Sequence, residues 1–286
     1  MSKLSVLIPS RNEKFLQHTI DDVFKKATGD VEVIVTLEGY WPVPELKKND
    51  NLIIVHRGRP FGLRRAVNSS ASIASGEFIM KVDAHCAFGE GFDEILKADC
   101  EPDWVVVPRR YSLDVDKWDK RRSPIDYLYL ECPAKSAHQD LAGKLWNEKN
   151  RDPKLKKVPI DDLLTFQGSC YFLHKDYFFE LGGLDEELYG TFRKEPQELS
   201  FKAWLSGGRV VRNKNTWYAH LHKGKTHGRG YGLARKDWKK GDAYNARWLT
   251  NEAWDDQKLD FKWLIDKFMP MPGWEDFEWP ERREIK

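Results

Sequence analysis

The sequence predicts an α/β protein built on a mostly parallel, doubly wound sheet flanked by helices. Over the first 110 residues, short β-branched runs alternate with segments carrying apolar residues at helical spacing. That alternation is the signature of parallel strands joined by crossover helices. Polar residues also fall directly after several strand runs, where open parallel sheets bind ligands. With 286 residues and a 41% apolar share, the chain is long enough to bury a substantial core.

The elements follow in order. "LSVLIP" (4–9) is an apolar strand run, and "FLQHTIDDVFKKA" (15–27) has helical periodicity. "VEVIVTL" (31–37) and "LIIVH" (52–56) read as strands buried on both faces. "LRRAVNSSASIAS" (63–75) is a helix closed by Gly76, and "FIMKV" (78–82) is the next strand. Arg11, Glu38 and Asp83 each follow a strand and can face one crevice. The stretch 111–165 is polar and carries four prolines, which predicts loops and short helices laid over the sheet. A strand and short helix return in "GSCYFLHKDYFFELGGLDEEL" (168–188). "PQELSFKAWLSGG" (196–208) has proline in its first turn and glycine after its end, the helical asymmetry. "RVVRN" and "TWYAHLH" are strands. From Tyr231 on, the chain is rich in tryptophan and charge, and helices packed on the main domain are expected. The expected division is therefore 1–230, with halves of about 1–110 and 111–230, followed by a C-terminal extension over 231–286.

Composition narrows the function. A net charge of only +2 gives no global basic field of the kind dedicated nucleic-acid binders show. Four dispersed cysteines without a Cys-x-x-Cys pair exclude a zinc ribbon or a disulfide scaffold, and fit a reducing compartment. The N-terminal apolar run is too short for a signal peptide, and no stretch approaches a membrane span. A soluble, cytoplasmic protein with no membrane partner is the expectation.

The chemistry centres on "KVDAHCAF" (81–88). Asp83 and His85 lie two apart at a strand end, so their side chains share a face. An oxygen and an imidazole so placed suit a divalent ion such as Mn²⁺; the simpler alternative is a turn cap followed by a loop histidine. A third ligand is on offer in "NTWYAHLHKGKTHGRG" (215–230), where His220 and His222 also share a face.

These motifs resemble the catalytic domain of the polypeptide N-acetylgalactosaminyltransferases, glycosyltransferases of the Rossmann-like GT-A fold. "DAHCAF" is similar to that family's Asp-Ser-His-Cys-Glu segment, and "SVLIPSRNE" to its Phe-His-Asn-Glu strand end. "GLRRAVNSSASIASGE", "QGSCYFLHKDYFFELGGLDEEL", "FRKEPQELSFKAWLSGG" and "AHLHK" follow in the family's order, covering roughly residues 4 to 225. The resemblance implies a metal (Mn²⁺ or Mg²⁺) held by Asp83, His85 and His220, and a UDP-sugar donor whose departing diphosphate the metal steadies. It places the nucleotide in the first half of the chain, with Arg11 and Glu38 near the uridine and Arg59 or Arg65 near phosphate or sugar. Gln167, Gly168 and Ser169 would line the sugar site in the second half, beside Phe192, with Glu195 holding the donor sugar.

The departures are specific. Leu37-Glu38 stands where the family has paired acids, Gln167-Gly168-Ser169 where it has Ala-Gly-Gly, and Phe192-Arg193-Lys194 where it has Trp-Gly-Gly. The donor sugar therefore does not carry over. The family's membrane anchor and lectin domain have no counterpart in these residues, so a freestanding catalytic domain is expected. The family transfers with retention; an inverting enzyme would need a carboxylate base, for which Glu195 and Glu198 are the candidates. A non-catalytic nucleotide-sugar binder and a sugar nucleotidyltransferase are the competing classes. The latter lacks support, because "IPSRNEKF" has no glycine-rich phosphate loop. The acceptor is open: a glycan, a protein Ser/Thr, or a hydroxymethylated DNA base met by the basic segment 223–240. That segment reads equally as a solvated charged face or a lid.

Overall fold

The computed structural model describes residues 2–135, 141–228, 231–232 and 235–285. The strands are β1 (Leu4–Ser10), β2 (Val31–Glu38), β3 (Leu52–Arg57), β4 (Phe78–Val82), β5 (Cys86–Phe88), β6 (Trp104–Asp114), β7 (Asp119–Ile125), β8 (Leu128–Leu130), β9 (Gly143–Leu145), β10 (Ile160–Asp162), β11 (Cys170–His174) and β12 (Arg209–His220). The helices are α1 (Leu16–Lys26), α2 (Leu63–Ile73), α3 (Phe92–Ala98), α4 (Asn147–Arg151), α5 (Lys175–Glu180), α6 (Glu195–Leu205), α7 (Gly224–His227), α8 (Arg235–Asn245) and α9 (Phe261–Phe268).

The main sheet runs β10-β12-β6-β11-β4-β1-β2-β3. Strands β3, β2, β1 and β4 are mutually parallel, as are β6 and β12; β11 lies antiparallel between β4 and β6. The expected doubly wound sheet is therefore present, with one reversed strand at its centre. Side chains alternate between two cores, as the two-residue strand period requires. Val6, Ile8, Val33, Val35, Met80 and Val82 face α1 and α3, while Leu7, Ile34 and Ile79 face α2 and α6. Both faces are covered, which explains why β1, β2 and β4 read as continuous apolar runs.

Three expectations need correction. The segment 111–165 is not loops and short helices alone: it holds the end of β6 together with β7, β8, β9 and β10. Its β7 is an edge hairpin strand, DKRRSPI, largely exposed, so no apolar alternation announces it. Strand β3 is not buried on both faces; it is the sheet edge, with Ile53 and Ile54 exposed. The two strands expected at 209–222 are one strand, β12, irregular between Asn213 and Trp217.

Toward the C-terminus, Trp248 and Trp274 are buried in the core shared with α6 and α9. Their indole N–H groups donate to Tyr189 Oη (2.7 Å) and the Leu130 carbonyl (2.7 Å). Trp263 stays exposed, and the side chain of Trp238 lies outside the described residues.

Helix α1 carries a buried acid, Asp22, that accepts the backbone N–H of Phe88 at 2.7 Å and so ties the helix to β5. Burial pushes its carboxyl up to about 6, against the opposing pull of the Phe88 N–H and nearby lysines. A raised native pKa means stability is gained as pH falls from about 6 toward the ordinary 3.8, and that ionised Asp22 is a cost above 6. Asp22→Asn keeps the acceptor without the charge. It is expected to raise stability by about 1–2 kcal/mol at pH 8, the gain disappearing below about pH 4; urea melts at the two pH values check it.

Candidate active site

Because β1, β2, β4 and β12 run the same way, their carboxyl ends open onto one edge of the sheet. A cleft of about 1020 Å³ lies there. Its lining includes Arg11 after β1, Glu38 at the end of β2, Asp83 and His85 after β4, Gln167, Gly168 and Ser169 before β11, Phe192 in the loop before α6, Glu195 at the start of α6, and His220 at the end of β12.

Local pairing builds the centre. After Asp83 the chain turns into β5, which pairs antiparallel with β12 in the register His220 opposite Cys86. The Leu221 N–H donates to the His85 carbonyl at 3.2 Å. Two segments far apart in sequence are thereby zipped together. Asp83, His85 and His220 each offer one ligand atom, all within 4.8 Å of one another. The Nε2 atoms of His85 and His220 lie 3.1 Å apart, and His220 Nε2 lies 3.1 Å from Asp83 Oδ2. Bonds of about 2.1 Å to a common ion put adjacent ligand atoms about 3 Å apart, so the donor set fits a divalent cation.

Protonation agrees with that fit. Burial lowers the His220 pKa to about 4 despite the hydrogen bond and charge of Asp83, so the ring is neutral at pH 7 and keeps a lone pair. His85 Nδ1 is 3.0 Å from Glu13 Oε2, the outer carboxylate contact that orients a ligating histidine and leaves Nε2 for the metal. Glu13 is buried and also takes the ammonium of Lys223. Burial raises its pKa, but His85 and Lys223 outweigh burial and hold it below the ordinary value. For Asp83, burial is outweighed by Lys81, His220 and His85, and the carboxyl stays ionised.

Lys81 is the hidden member. It is fully buried within β4, with its ammonium 2.7 Å from Asp83 Oδ1, against the Gly168 carbonyl, and 3.1 Å from Glu195 Oε1. Burial would strip its proton, but Asp83 and Glu195 hold it on, so the lysine stays charged. Glu195 moves the other way: burial, aided by Asp83, raises its pKa against the pull of Lys81 and Arg64. Its Oε1 lies 3.1 Å from the Lys81 ammonium. Gly168 makes this packing feasible, since a Cβ there would stand 2.8 Å from Glu195 Oε1.

The remaining expected residues are placed as follows. Arg11 stacks on Tyr231, its guanidinium 4.4 Å from the ring centroid. Glu38 reaches the cleft with both oxygens engaged, by Arg57 at 2.9 Å and by the N–H groups of Phe61 and Gly62 at 2.5 and 2.8 Å. Ser169 spends its hydroxyl on Tyr218 (2.9 Å). Arg59 and Arg65 are not among the cleft residues: Arg59 is exposed over Phe61, and Arg65 pairs with Glu186 at 2.6 Å. Glu198, the second base candidate, is sealed in the core by Arg64, by Lys202 at 2.8 Å and by the Asp185 N–H at 2.8 Å. His222 does not join the three ligands and instead meets Arg110 at 2.9 Å. The basic segment 223–240 lies partly outside the described residues.

The sheet is of the α/β type that binds ligands beyond the carboxyl ends of its strands, and the acid–imidazole cluster lies at that edge. The chain belongs to glycosyl transferase family 2, whose family model matches residues 5–182. It is 26% identical over 231 residues to polypeptide N-acetylgalactosaminyltransferase 5 of Caenorhabditis elegans, covering 73% of this chain and 35% of the relative. It is 31% identical over 166 residues to the same organism's probable N-acetylgalactosaminyltransferase 8, covering 57% of this chain and 38% of that protein. The chain thus spans about a third of the length of these relatives. Among solved structures, GalNAc-T7 with UDP, GalNAc and Mn²⁺ superposes with a TM-score of 0.67 at 17% identity, over 88% of this chain and 48% of that one; this likeness carries the GT-A fold. Among the described residues no helix is long and apolar enough to cross a membrane.

Proposed function

We propose that the chain is a metal-dependent glycosyltransferase that moves a sugar from a UDP-sugar to an acceptor hydroxyl. The observation that carries this reading is the convergence of Asp83, His85 and His220 at the floor of the cleft. These three would hold Mn²⁺ or Mg²⁺, which when bound supplies Lewis-acid stabilisation of the leaving diphosphate. Support for the nucleotide comes from the GalNAc-T7 complex with UDP and Mn²⁺.

The chain's own residues do the positioning. Lys81 fixes the Asp83 carboxylate toward the histidines, and Glu13 fixes the His85 ring. Glu195, held by Lys81 beside Gly168, would orient a hydroxyl of the donor sugar. In the transfer the donor C1–O bond breaks with its electron pair going to the diphosphate, and the acceptor oxygen bonds to C1. The acceptor proton passes to the departing phosphate oxygen. Retention is the outcome this reading favours, because Glu198 is sealed and Glu195 is held beside Lys81 rather than free as a base. The test is a UDP-release screen over UDP-sugars with Mn²⁺ or EDTA, followed by NMR of the product anomer. Metal-dependent turnover with retained configuration is expected. An inverted product would assign Glu195 as the base, and no turnover with any donor would favour a non-catalytic binder.

A further inference from the structure

A second cavity of about 270 Å³ opens beside the cleft and shares Gly143, Gln167, Gly168, Pro196 and Gln197 with it. Its own walls are Leu128, Phe166 and Arg110. Arg110 is 6% exposed, yet among the described residues no carboxylate lies within ion-pair distance of it; its partner is His222 Nε2 at 2.9 Å. The neighbouring acid Asp126 is taken by Arg109 at 2.9 Å, and Glu195 by Lys81 at 3.1 Å. Burial pulls the Arg110 pKa down, against the opposing pull of Tyr218 and Asp126. A buried charge of this kind is costly unless something pairs with it. The same cavity holds Gln167, whose Oε1 is buried without a partner. His222 in turn packs edge-on against His220, with ring centroids 5.1 Å apart, so the unpaired cation stands one residue removed from the metal ligands.

We propose that this side cavity is an acceptor subsite, in which Arg110 pairs with an anionic substituent, a carboxylate or a phosphate, on the acceptor. The guanidinium fork suits either group in a bidentate pair. Gln167 Oε1 accepts from a hydroxyl of the same residue, and Leu128 and Phe166 back its apolar face. The assignment rests on the transferase reading above, and extends it from the donor to the class of acceptor.

The test measures binding, with UDP and Mn²⁺ present to occupy the donor site and again without them. Methyl glucuronide, glycerol 1-phosphate and methyl glucoside serve as carboxylate, phosphate and neutral probes, titrated by NMR. One anionic probe is expected to bind at least tenfold more tightly than the glucoside, and the preferred one identifies the substituent. Arg110→Met is expected to remove that preference and Arg110→Lys to restore part of it. Equal binding of all three probes, or a preference that survives in folded Arg110→Met, overturns the subsite. Should Arg110→Met not fold, a wild-type crystal soaked with the preferred probe decides: the anion lies against Arg110, or the assignment fails. UDP binding with Mn²⁺, measured on the same sample, reports on the donor reading separately.

Discussion

Asp83→Ala is expected to reduce Mn²⁺-dependent UDP-sugar turnover by about a thousandfold or more in kcat/KM, equivalent to about 4 kcal/mol of transition-state stabilisation. Two effects add. A bound metal would lose the one carboxylate in a set otherwise made of imidazoles. Lys81 loses the carboxylate that balances it and turns wholly to Glu195 and the Gly168 carbonyl, drawing Glu195 away from the donor sugar. Asp83→Asn separates the two, because the amide can still accept from Lys81 while ligating weakly. If charge on the metal is what matters, the asparagine variant is as inactive as alanine, and manganese binding followed by electron paramagnetic resonance falls in both. Mn²⁺-stimulated turnover that persists in either variant would discard the metal assignment. His85→Ala should cost less, since the carboxylate of Asp83 remains, but it also removes the imidazole that Glu13 holds beside Lys223 on the cleft wall.

How much of this was legible in the sequence depends on which physical signal each residue carries. Asp83 and His85 stand out because a strand's two-residue period places them on one face just where an apolar run ends. His220 and His222 share that spacing, so periodicity alone does not choose between them. The choice is made by the β5–β12 register, and by Arg110 taking His222, both contacts of long sequence separation. Lys81 gave no signal: within FIMKV it reads as a strand residue whose ammonium reaches solvent, and only the fold shows it sealed between two acids. Glu13 was in view as part of the SRNE strand end, but its pairing with His85 and Lys223 is tertiary. Arg59 and Arg65 are the arginines expected near phosphate or sugar; adjacent helix residues point about 100° apart, and it is Arg64, beside Arg65, that turns inward to Glu198. Strand β7 was missed because an exposed edge strand has no buried face to leave a pattern.

The inward-facing residue is Arg64, and its removal is expected to have the largest effect on stability. Its guanidinium is buried against Glu198, donates to the Arg193 carbonyl at 2.8 Å, and covers the Tyr189 ring at 4.5 Å. Glu198 is itself fully buried; burial raises its pKa, but Arg64 and Lys202 hold it below the ordinary value. Arg64→Met leaves that carboxylate half-compensated by Lys202 and should cost about 3–5 kcal/mol. The thermal midpoint should fall by roughly 10 °C, on the scale of about 2–4 °C per kcal/mol for a chain of this size. Pairing the change with Glu198→Gln removes the stranded charge and is expected to recover at least half the loss; the double-mutant cycle gives the coupling directly. The consequence reaches the cleft. Arg64 grips the Arg193 carbonyl, and the neighbouring Leu63 N–H grips that of Thr191 at 2.9 Å. Gly62 presses so close to Thr191 that a Cβ would stand 2.5 Å from its side chain. Arg193 and Lys194 are held at φ of 74° and 60°, sparsely populated for residues with side chains, immediately before Glu195. Such a conformation persists only where its surroundings enforce it, and the α2 corner does the enforcing. Arg64→Met should therefore raise the KM for the donor at temperatures well below its midpoint. A variant that is destabilised yet binds donor as the parent does would show that the 191–195 wall is held by other contacts.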